Sequence, residues 1–398
     1  IATGDGLHAA AGAVALADWQ PQRDAFLVQQ LRESGAVILG KANLSEWANW
    51  MDSCLPNGFS ALGGQTQNPH GPYDPLGSSS GSAVAAAANL VTVSVGSETQ
   101  GSIIAPAENN SVVALKTSLG LVSRDHIIPL LPFQDVPGPI GRNVTDIAVL
   151  LTAMTGTDEN DPATANAAPL SGTDFTQFLD PQAAAGLKVG ISLNNSSETE
   201  SAQARAITAA LLAAGVDIVD IPTADVPRQG DVRPLLTHGY KLAINEFLAG
   251  LGDQVAVSSL ADIVAFNNDD LANRAPHGQD HLEASLASTM SAAEYAAARD
   301  ALVQPAQERL DALFTLYEID VLVNNRTQAY AQAGYPALTI PAGVNAGGQP
   351  LGITLIGSYL GEPALIGVAY IIEQATQARV EPDLNAAIQL IDALPELE

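Results

Sequence analysis

Lysine is scarce in these 398 residues, occurring at 41, 116, 188 and 241 and nowhere else. With 43 acidic side chains against 16 lysines and arginines, the net charge is −27. A surface this acidic repels nucleic acid and anionic membranes, so neither is an expected partner. It suits saline or extracytoplasmic surroundings, and the expected compartment is cytoplasmic or exported, leaning to exported. Cysteine occurs once, as Cys54, which excludes an intramolecular disulfide and any cysteine-rich metal site. No apolar run reaches the roughly 18–20 residues of a membrane helix. The opening IATGDG lacks the charged-then-apolar pattern of a secretory leader.

What is present is ample core material: 47% of the residues are hydrophobic and 15% charged, a composition that folds. Residues 24–34 read as an amphipathic helix with Phe26, Leu27 and Leu31 on one face and Gly35 closing it. AVIL (36–39) reads as a buried strand. Residues 51–77, rich in Gly, Pro, Asn and Gln, form a long loop, and loops of that length are usually functional. A small-residue helix (82–89), a strand (91–95) and a turn (96–102) follow, then a Gly/Pro/Asn-punctuated passage to about 141. VTDIAVLLTAMTG reads as a helix, LKVGIS as a strand, 202–214 as a helix and 216–221 as a strand, which suggests α/β alternation. Residues 231–314 are mostly helical. IDVLVNN, PALTIPAG and GITLIG are late strands, and EPALIGVAYIIEQAT closes as an amphipathic helix.

The most unusual stretch is PLGSSSGSAVAAAA (75–88). A linker does not run straight into a strong helix former. A phosphate-binding loop needs a lysine that Gly77–Ser82 lacks. Gly77 to Gly81 spells G-x-S-x-G, but a nucleophile elbow must follow a strand, and NPHGPYDPL is not one. Asp125 and His126, as adjacent residues, point apart and make poor triad partners. A second serine turn, GSETQGSIIAP (96–106), places Ser102 24 residues after Ser78. That spacing suits a helix, a strand and turns that return to one place. On spacing alone, two ordinary capping turns are the leading reading.

The block GSSSGSAVAAAANLVTVSVGSETQGSIIAPA resembles the amidase signature family, most closely its peptide amidases and related bacterial and fungal members. The likeness continues in AVILGKANLSEWANW, GGQTQNP, VVALKTSLGLVSRD, DVPGPIGRNVTD and AGYPALTIPAG…GQPLGITLIG. It implies an α/β fold, with a central mixed β-sheet flanked by helices on both faces and a mostly helical insertion. It implies one domain over 1–398: a signature core at about 24–156, the insertion at about 231–314, and C-terminal strands and helix at about 315–398. Ser102 maps to the nucleophile and Ser78 to the bridging serine that follows a cis peptide bond. Backbone N–H groups of Thr99, Gln100, Gly101 and Ser102 would hold the oxyanion. Ser79 and Ser80 would serve backbone geometry and helix capping. The implied reaction is hydrolysis of a neutral carboxamide or a peptide C-terminal amide through an acyl-enzyme, without cofactor or metal, by a monomer or homodimer.

That relay needs a neutral lysine to take the proton from Ser78. In the family it lies in a K-D-N-like segment well upstream of the bridging serine. Lys41 belongs to a different, GKTN-like motif and reads as support for the turn at Asn43, Ser45 and Glu46. The start IATGDGLHAAAGA resembles the residues directly after the K-D-N-like segment. A truncated chain, or a degenerate relative with little activity, is the expected alternative. A second alternative is an amidotransferase A-type subunit, against which the acidic surface and Ile104 weigh, since many members carry arginine where Ile104 stands. Leu76, Ser80, Gln100, Ser111 and Ala114 replace usual glycines, and the last two suggest relaxed backbone demands. His277 and His281 are not expected to bind metal, because Pro276-His277-Gly278 interrupts any helix. Asn268-Asp269-Asp270 reads as a solvated face, and Trp47 and Trp50 as packing over the long loop.

Overall fold

The computed structural model describes residues 1–180, 184, 186–193, 198–324 and 327–392. Asn325, at the end of the expected strand IDVLVNN, and the last residues of the expected C-terminal segment, 393–398, lie outside the described residues.

The strands are β1 (Phe59–Ser60), β2 (Gly64–Gln65), β3 (Ser94–Glu98), β4 (Val113–Lys116), β5 (Val136–Gly141), β6 (Lys188–Ile191), β7 (Asp217–Asp220), β8 (Val321–Val323), β9 (Ala337–Val344) and β10 (Pro350–Gly357). β1 and β2 form a small hairpin in the 51–77 loop. The other eight make one mixed sheet in the order β3-β5-β4-β9-β10-β8-β6-β7, parallel only where β6 meets β7 and β8. Alternation along the strands splits the core in two. Val113, Leu115, Leu338, Ile340, Ile353 and Leu355 face the helices Phe26–Glu33, Val144–Met154 and Glu362–Thr376. Ala114 faces the opposite way, against Ala83, Ala86 and Ile103. Ala337 and Ile356 pack there with Leu310, Leu313 and Phe314 of the helix Ala292–Tyr317. That helix starts on a capping box, with Ser291 and Glu294 bonded reciprocally.

The helices Arg233–Leu251, Leu260–Asn268 and Asp280–Ala287 build a second core with residues 2–19 and with Trp47, Trp50 and Met51. The helical insertion thus divides: 233–287 packs over the N-terminal segments and the long loop, while 292–317 joins the sheet.

Several local expectations are corrected. AVIL is not a strand: Val37 is 80% and Leu39 72% exposed, and only Ile38 packs against the core. An apolar run marks a chain able to extend, but a strand also needs an edge to pair with, and 36–39 pairs with none among the described residues. The strand expected at 91–95 lies at Ser94–Glu98, three residues later, which shortens the turn that follows. The punctuated passage to 141 hides the helix Ile104–Asn109 and two inner strands, β4 and β5. β5 reads VPGPIG, an unpromising strand because proline cannot donate to a ladder. Pro137 faces β4, since its carbonyl accepts from Thr117 Oγ1 at 3.0 Å. β4 ladders only with Ile140 and Gly141, so the prolines' missing N–H groups cost no bond. Gly138 stands between them because a Cβ there would meet the Leu115 carbonyl oxygen at 2.0 Å.

Three carboxyls in this fold are pushed up to about 7 by burial: Glu46, Glu108 and Glu373. Glu108 accepts from the hydroxyls of Thr354 at 2.7 Å and Thr339 at 3.3 Å. A carboxyl whose pKa rises on folding binds more protons folded than unfolded between its unfolded value of 4.5 and about 7. Its contribution to stability is therefore full at low pH and lost as the pH climbs through 7. The parent protein is expected to lose about 1–3 kcal/mol more than Glu108→Gln between pH 5 and pH 8. Urea midpoints of the two proteins at both pH values measure this; equal losses would remove Glu108 as a titrating group.

Candidate active site

The serine cluster sits where the long loop enters the helix Ser80–Ala87. The Gly77–Ser78 peptide is cis, and Leu76 before it holds a left-handed φ of 52°. Both glycines of the cluster are imposed by the neighbouring 43–45 turn. A Cβ on Gly77 would meet Ser45 Oγ at 2.4 Å, and one on Gly81 the Asn43 carbonyl oxygen at 2.3 Å. Backbone bonds lock the two segments together, Ser45 N–H to the Ser78 carbonyl at 3.0 Å and Gly81 N–H to that of Asn43 at 3.1 Å.

The hydroxyls of the cluster are not equivalent. Ser79 Oγ donates to the Ser97 carbonyl at 3.0 Å and accepts from Ser97 N–H at 3.1 Å. Ser80 Oγ donates to the Leu76 carbonyl, and Ser82 Oγ to that of Val95 at 2.9 Å. Ser78 Oγ holds no hydrogen bond among the described residues, although the residue is only 2% exposed. Ser79 N–H donates to the Ser102 carbonyl at 3.1 Å, so the two serine turns expected to converge do meet. Ser102, also buried, leaves its hydroxyl without a hydrogen bond among the described residues.

The turn carrying Ser102 is built around a buried carboxylate at the end of β3. Glu98 Oε2 accepts from the N–H groups of Ile103 at 2.8 Å and Ile104 at 3.0 Å, and Glu98 Oε1 accepts from Tyr330 Oη at 3.1 Å. With those two amides satisfied, the N–H groups of Gln100, Gly101 and Ser102 remain without acceptors among the described residues. Gly101 takes the left-handed φ of 79° that the turn requires. On the other flank, Thr99 Oγ1 donates to Asp135 Oδ1 at 2.5 Å, and its carbonyl accepts from Gln134 Nε2 at 2.8 Å. Asp135 Oδ2 takes the N–H groups of Leu130 and Leu131, and burial raises its pKa. Such a turn offers preorganised donors to developing negative charge and a buried hydroxyl beside them.

The lysines stand elsewhere. Lys41 Nζ donates to the Ile1 carbonyl, and burial lowers its pKa to about 8. The long loop is instead held by Asn43, Ser45 and Glu46, whose side chains bond Gly58, Gly64, Thr66 and Ala61. Lys116, fully buried and lowered to about 8, donates to the Tyr335 carbonyl at 2.8 Å, with Glu98 and Glu362 favouring its charge. Lys188 pairs with Glu318, and Lys241 donates to the carbonyls of Leu286 and Ser288.

A cavity of about 460 Å³ opens beside this turn. Glu98 and Thr99 form one wall, while Ile127, Ile128, Phe247 and Leu251 supply apolar surface. The helix Arg233–Leu251, within the expected insertion, thus borders it. Asp125 pairs with Arg23 at 2.6 Å and, against the expectation that adjacent side chains point apart, its Oδ1 also lies 3.3 Å from His126 Nδ1. Among the described residues no cluster of His, Cys, Asp and Glu could hold a metal ion. His281 stacks on Trp50 and His277 meets Phe59 edge-on, both with ring centroids 4.5 Å apart. Among the same residues no helix is long and apolar enough to cross a membrane.

Sequence reasoning passes over Glu98, Gln134, Asp135 and Tyr330. For Glu98 a signal exists: a lone carboxylate at the end of VTVSVGSE, just ahead of a glycine turn, has to bond something. The others come from distant parts of the chain and carry no local signal. For Ser111, one of the two replaced glycines read as relaxed, the structure corrects the reading. Ser111, a replaced glycine, still holds a left-handed φ of 54°, and Leu76 does likewise, so the backbone demand has not relaxed. Ser111 Oγ accepts from Val380 N–H at 3.0 Å, anchoring that residue where it is. Ile104 is buried in the core beneath the turn.

A family model described as "Amidase" matches residues 1–366. A probable amidase of Arabidopsis thaliana is 37% identical, over 97% of this chain and 77% of that protein. The A subunit of a glutamyl-tRNA(Gln) amidotransferase from a Synechococcus strain is 30% identical, over 90% of this chain and 78% of the subunit. The crystal structure of native peptide amidase from Stenotrophomonas maltophilia superposes with a TM-score of 0.90 at 38% identity, covering 97% of this chain and 82% of that one.

Proposed function

The chain belongs to the amidase family, and on that premise we propose that it hydrolyses a neutral carboxamide or peptide C-terminal amide through an acyl-enzyme on Ser102. One observation carries the reading. In two turns bonded to each other through Ser79 N–H, Ser79, Ser80 and Ser82 spend their hydroxyls on the backbone, while Ser78 and Ser102 keep theirs unspent. Hydroxyls left free of the backbone at two converging turns can take part in nucleophilic attack and proton transfer.

In this reading Ser102 Oγ attacks the amide carbonyl carbon as its proton passes to Ser78 Oγ. The open N–H groups of Gln100, Gly101 and Ser102 receive the oxyanion. The C–N bond then breaks, the amine leaves with a proton, and water hydrolyses the ester by the reverse path. Ser78 must pass its own proton on. The resemblance implies a lysine for that step, and the four lysines here donate elsewhere. A second reading is a degenerate relative with little activity. Ile104, where an arginine would suit a carboxylate, supports an uncharged substrate. The net charge of −27 speaks against work on a transfer RNA.

Ammonia release from an N-acetylated amino-acid amide, together with mass-spectrometric mapping of a fluorophosphonate adduct, tests this. The expected result is release of ammonia and one adduct, on Ser102. An adduct on Ser102 with negligible ammonia selects the second reading. Ammonia release with the adduct on another residue would sink both.

A further inference from the structure

Three glutamines, Gln100 and the pair Gln328 and Gln332, 228 and 232 residues later, form a ladder ending directly over the Ser102 turn. Its polarity is set at one end by backbone. Gln332, 2% exposed, accepts Gly230 N–H on Oε1 at 2.8 Å and donates Nε2 to the Gly230 carbonyl at 2.8 Å. With the amide so oriented, Nε2 also reaches Gln100 Oε1 at 3.3 Å. Gln100 must then turn its own Nε2 the other way, where it donates to Gln328 Oε1 at 3.0 Å. Gln328 has no choice left: its Nε2 points away from the ladder, over Gly101. A Cβ on Gly101 would lie 2.6 Å from that nitrogen.

Gln328 Nε2 makes no hydrogen bond within the described residues, so the ladder delivers two unspent N–H donors to the residue before Ser102. The backbone of Gln328 is itself anchored, its N–H reaching Gln229 Oε1 at 3.4 Å. The donors are neutral, fixed in direction and half-buried, which suits a neutral oxygen acceptor rather than a charged group.

We propose that Gln328 is a specificity residue that donates to a second carbonyl oxygen on the acyl side of the substrate. The preferred substrate class is therefore an acylated amino-acid or peptide amide, whose preceding amide supplies that oxygen, over the corresponding plain alkyl amide. This rests on the reading of Ser102 as nucleophile.

Calorimetry on Ser102→Ala, which binds without turnover, tests it with two probes, N-acetyl-leucinamide and 4-methylpentanamide, the analogue lacking the acetamido group. A hydrogen bond of ordinary strength makes the first bind about 10-fold more tightly than the second. Adding Gln328→Leu or Gln328→Glu erases that preference. The glutamate keeps the shape and the bond from Gln100 but offers no donor at neutral pH, so it separates donation from packing. A preference surviving in both double variants, or two probes bound alike by Ser102→Ala, overturns the assignment. If neither probe binds even to Ser102→Ala, the amide reading itself fails and this inference falls with it.

Discussion

Changing Ser102 to alanine is expected to lower amide hydrolysis by about 10³-fold or more and to abolish the fluorophosphonate adduct. Its hydroxyl bonds nothing among the described residues, so its loss breaks no hydrogen bond there that holds the fold. The backbone of residue 102, through which the two turns are joined, is untouched. Stability is therefore expected to stay within about 0.5 kcal/mol of the parent. This split between lost turnover and intact folding is the informative outcome. Ser79→Ala should behave differently, because Ser79 Oγ both donates to and accepts from the Ser97 backbone. Paired progress curves and urea titrations of the two variants measure the contrast. Turnover by Ser102→Ala comparable with the parent would remove it from the nucleophile's role.

The second large effect falls on Glu98. Replacement by alanine strands two buried backbone N–H groups, those of Ile103 and Ile104, together with the Tyr330 hydroxyl. Each stranded group costs about 1–3 kcal/mol, and the buried Lys116 loses one of the two carboxylates that favour its charge. Glu98→Ala is expected to destabilise the protein by about 3–5 kcal/mol. Activity should fall with it, since the same carboxylate shapes the turn presenting Ser102. Glu98→Gln gives the finer test. Its amide oxygen still accepts from Ile103 and Ile104, while its NH₂ faces Tyr330 Oη, which can accept. The glutamine variant should retain most of the stability, costing about 1 kcal/mol. Chemical denaturation of both variants checks this; equal losses would show that the two acceptor oxygens are not what matters.

Much of this molecule is legible in its residues because the signal is local. Amphipathic spacing marks the helices Phe26–Glu33 and Glu362–Thr376, and the late strands follow from short apolar runs between turn residues. The serine turns are legible as a pair only through the resemblance, since the spacing of a short helix and a strand permits but does not require Ser78 and Ser102 to meet. β5 is not legible, because proline and glycine outweigh pattern until a neighbour covers only its far end. AVIL misleads for the opposite reason: its pattern is right for a strand, and the partner edge is missing among the described residues.

By itself, then, the sequence shows α/β alternation through its periodicity, while the family, the mixed sheet and the pairing of the two serine turns come from the resemblance its motifs carry. Only the tertiary structure decides which hydroxyls are spent. Ser79, Ser80 and Ser82 look no different from Ser78 until Ser97, Leu76 and Val95 arrive to take their hydrogen bonds. The same holds for Glu98, whose partner Tyr330 lies 232 residues away, and for Gln328, aimed over Gly101 by a ladder that begins at Gly230. Hydrogen bonds are short and directional, and whether a polar group has one depends on atoms that neighbouring sequence does not contain.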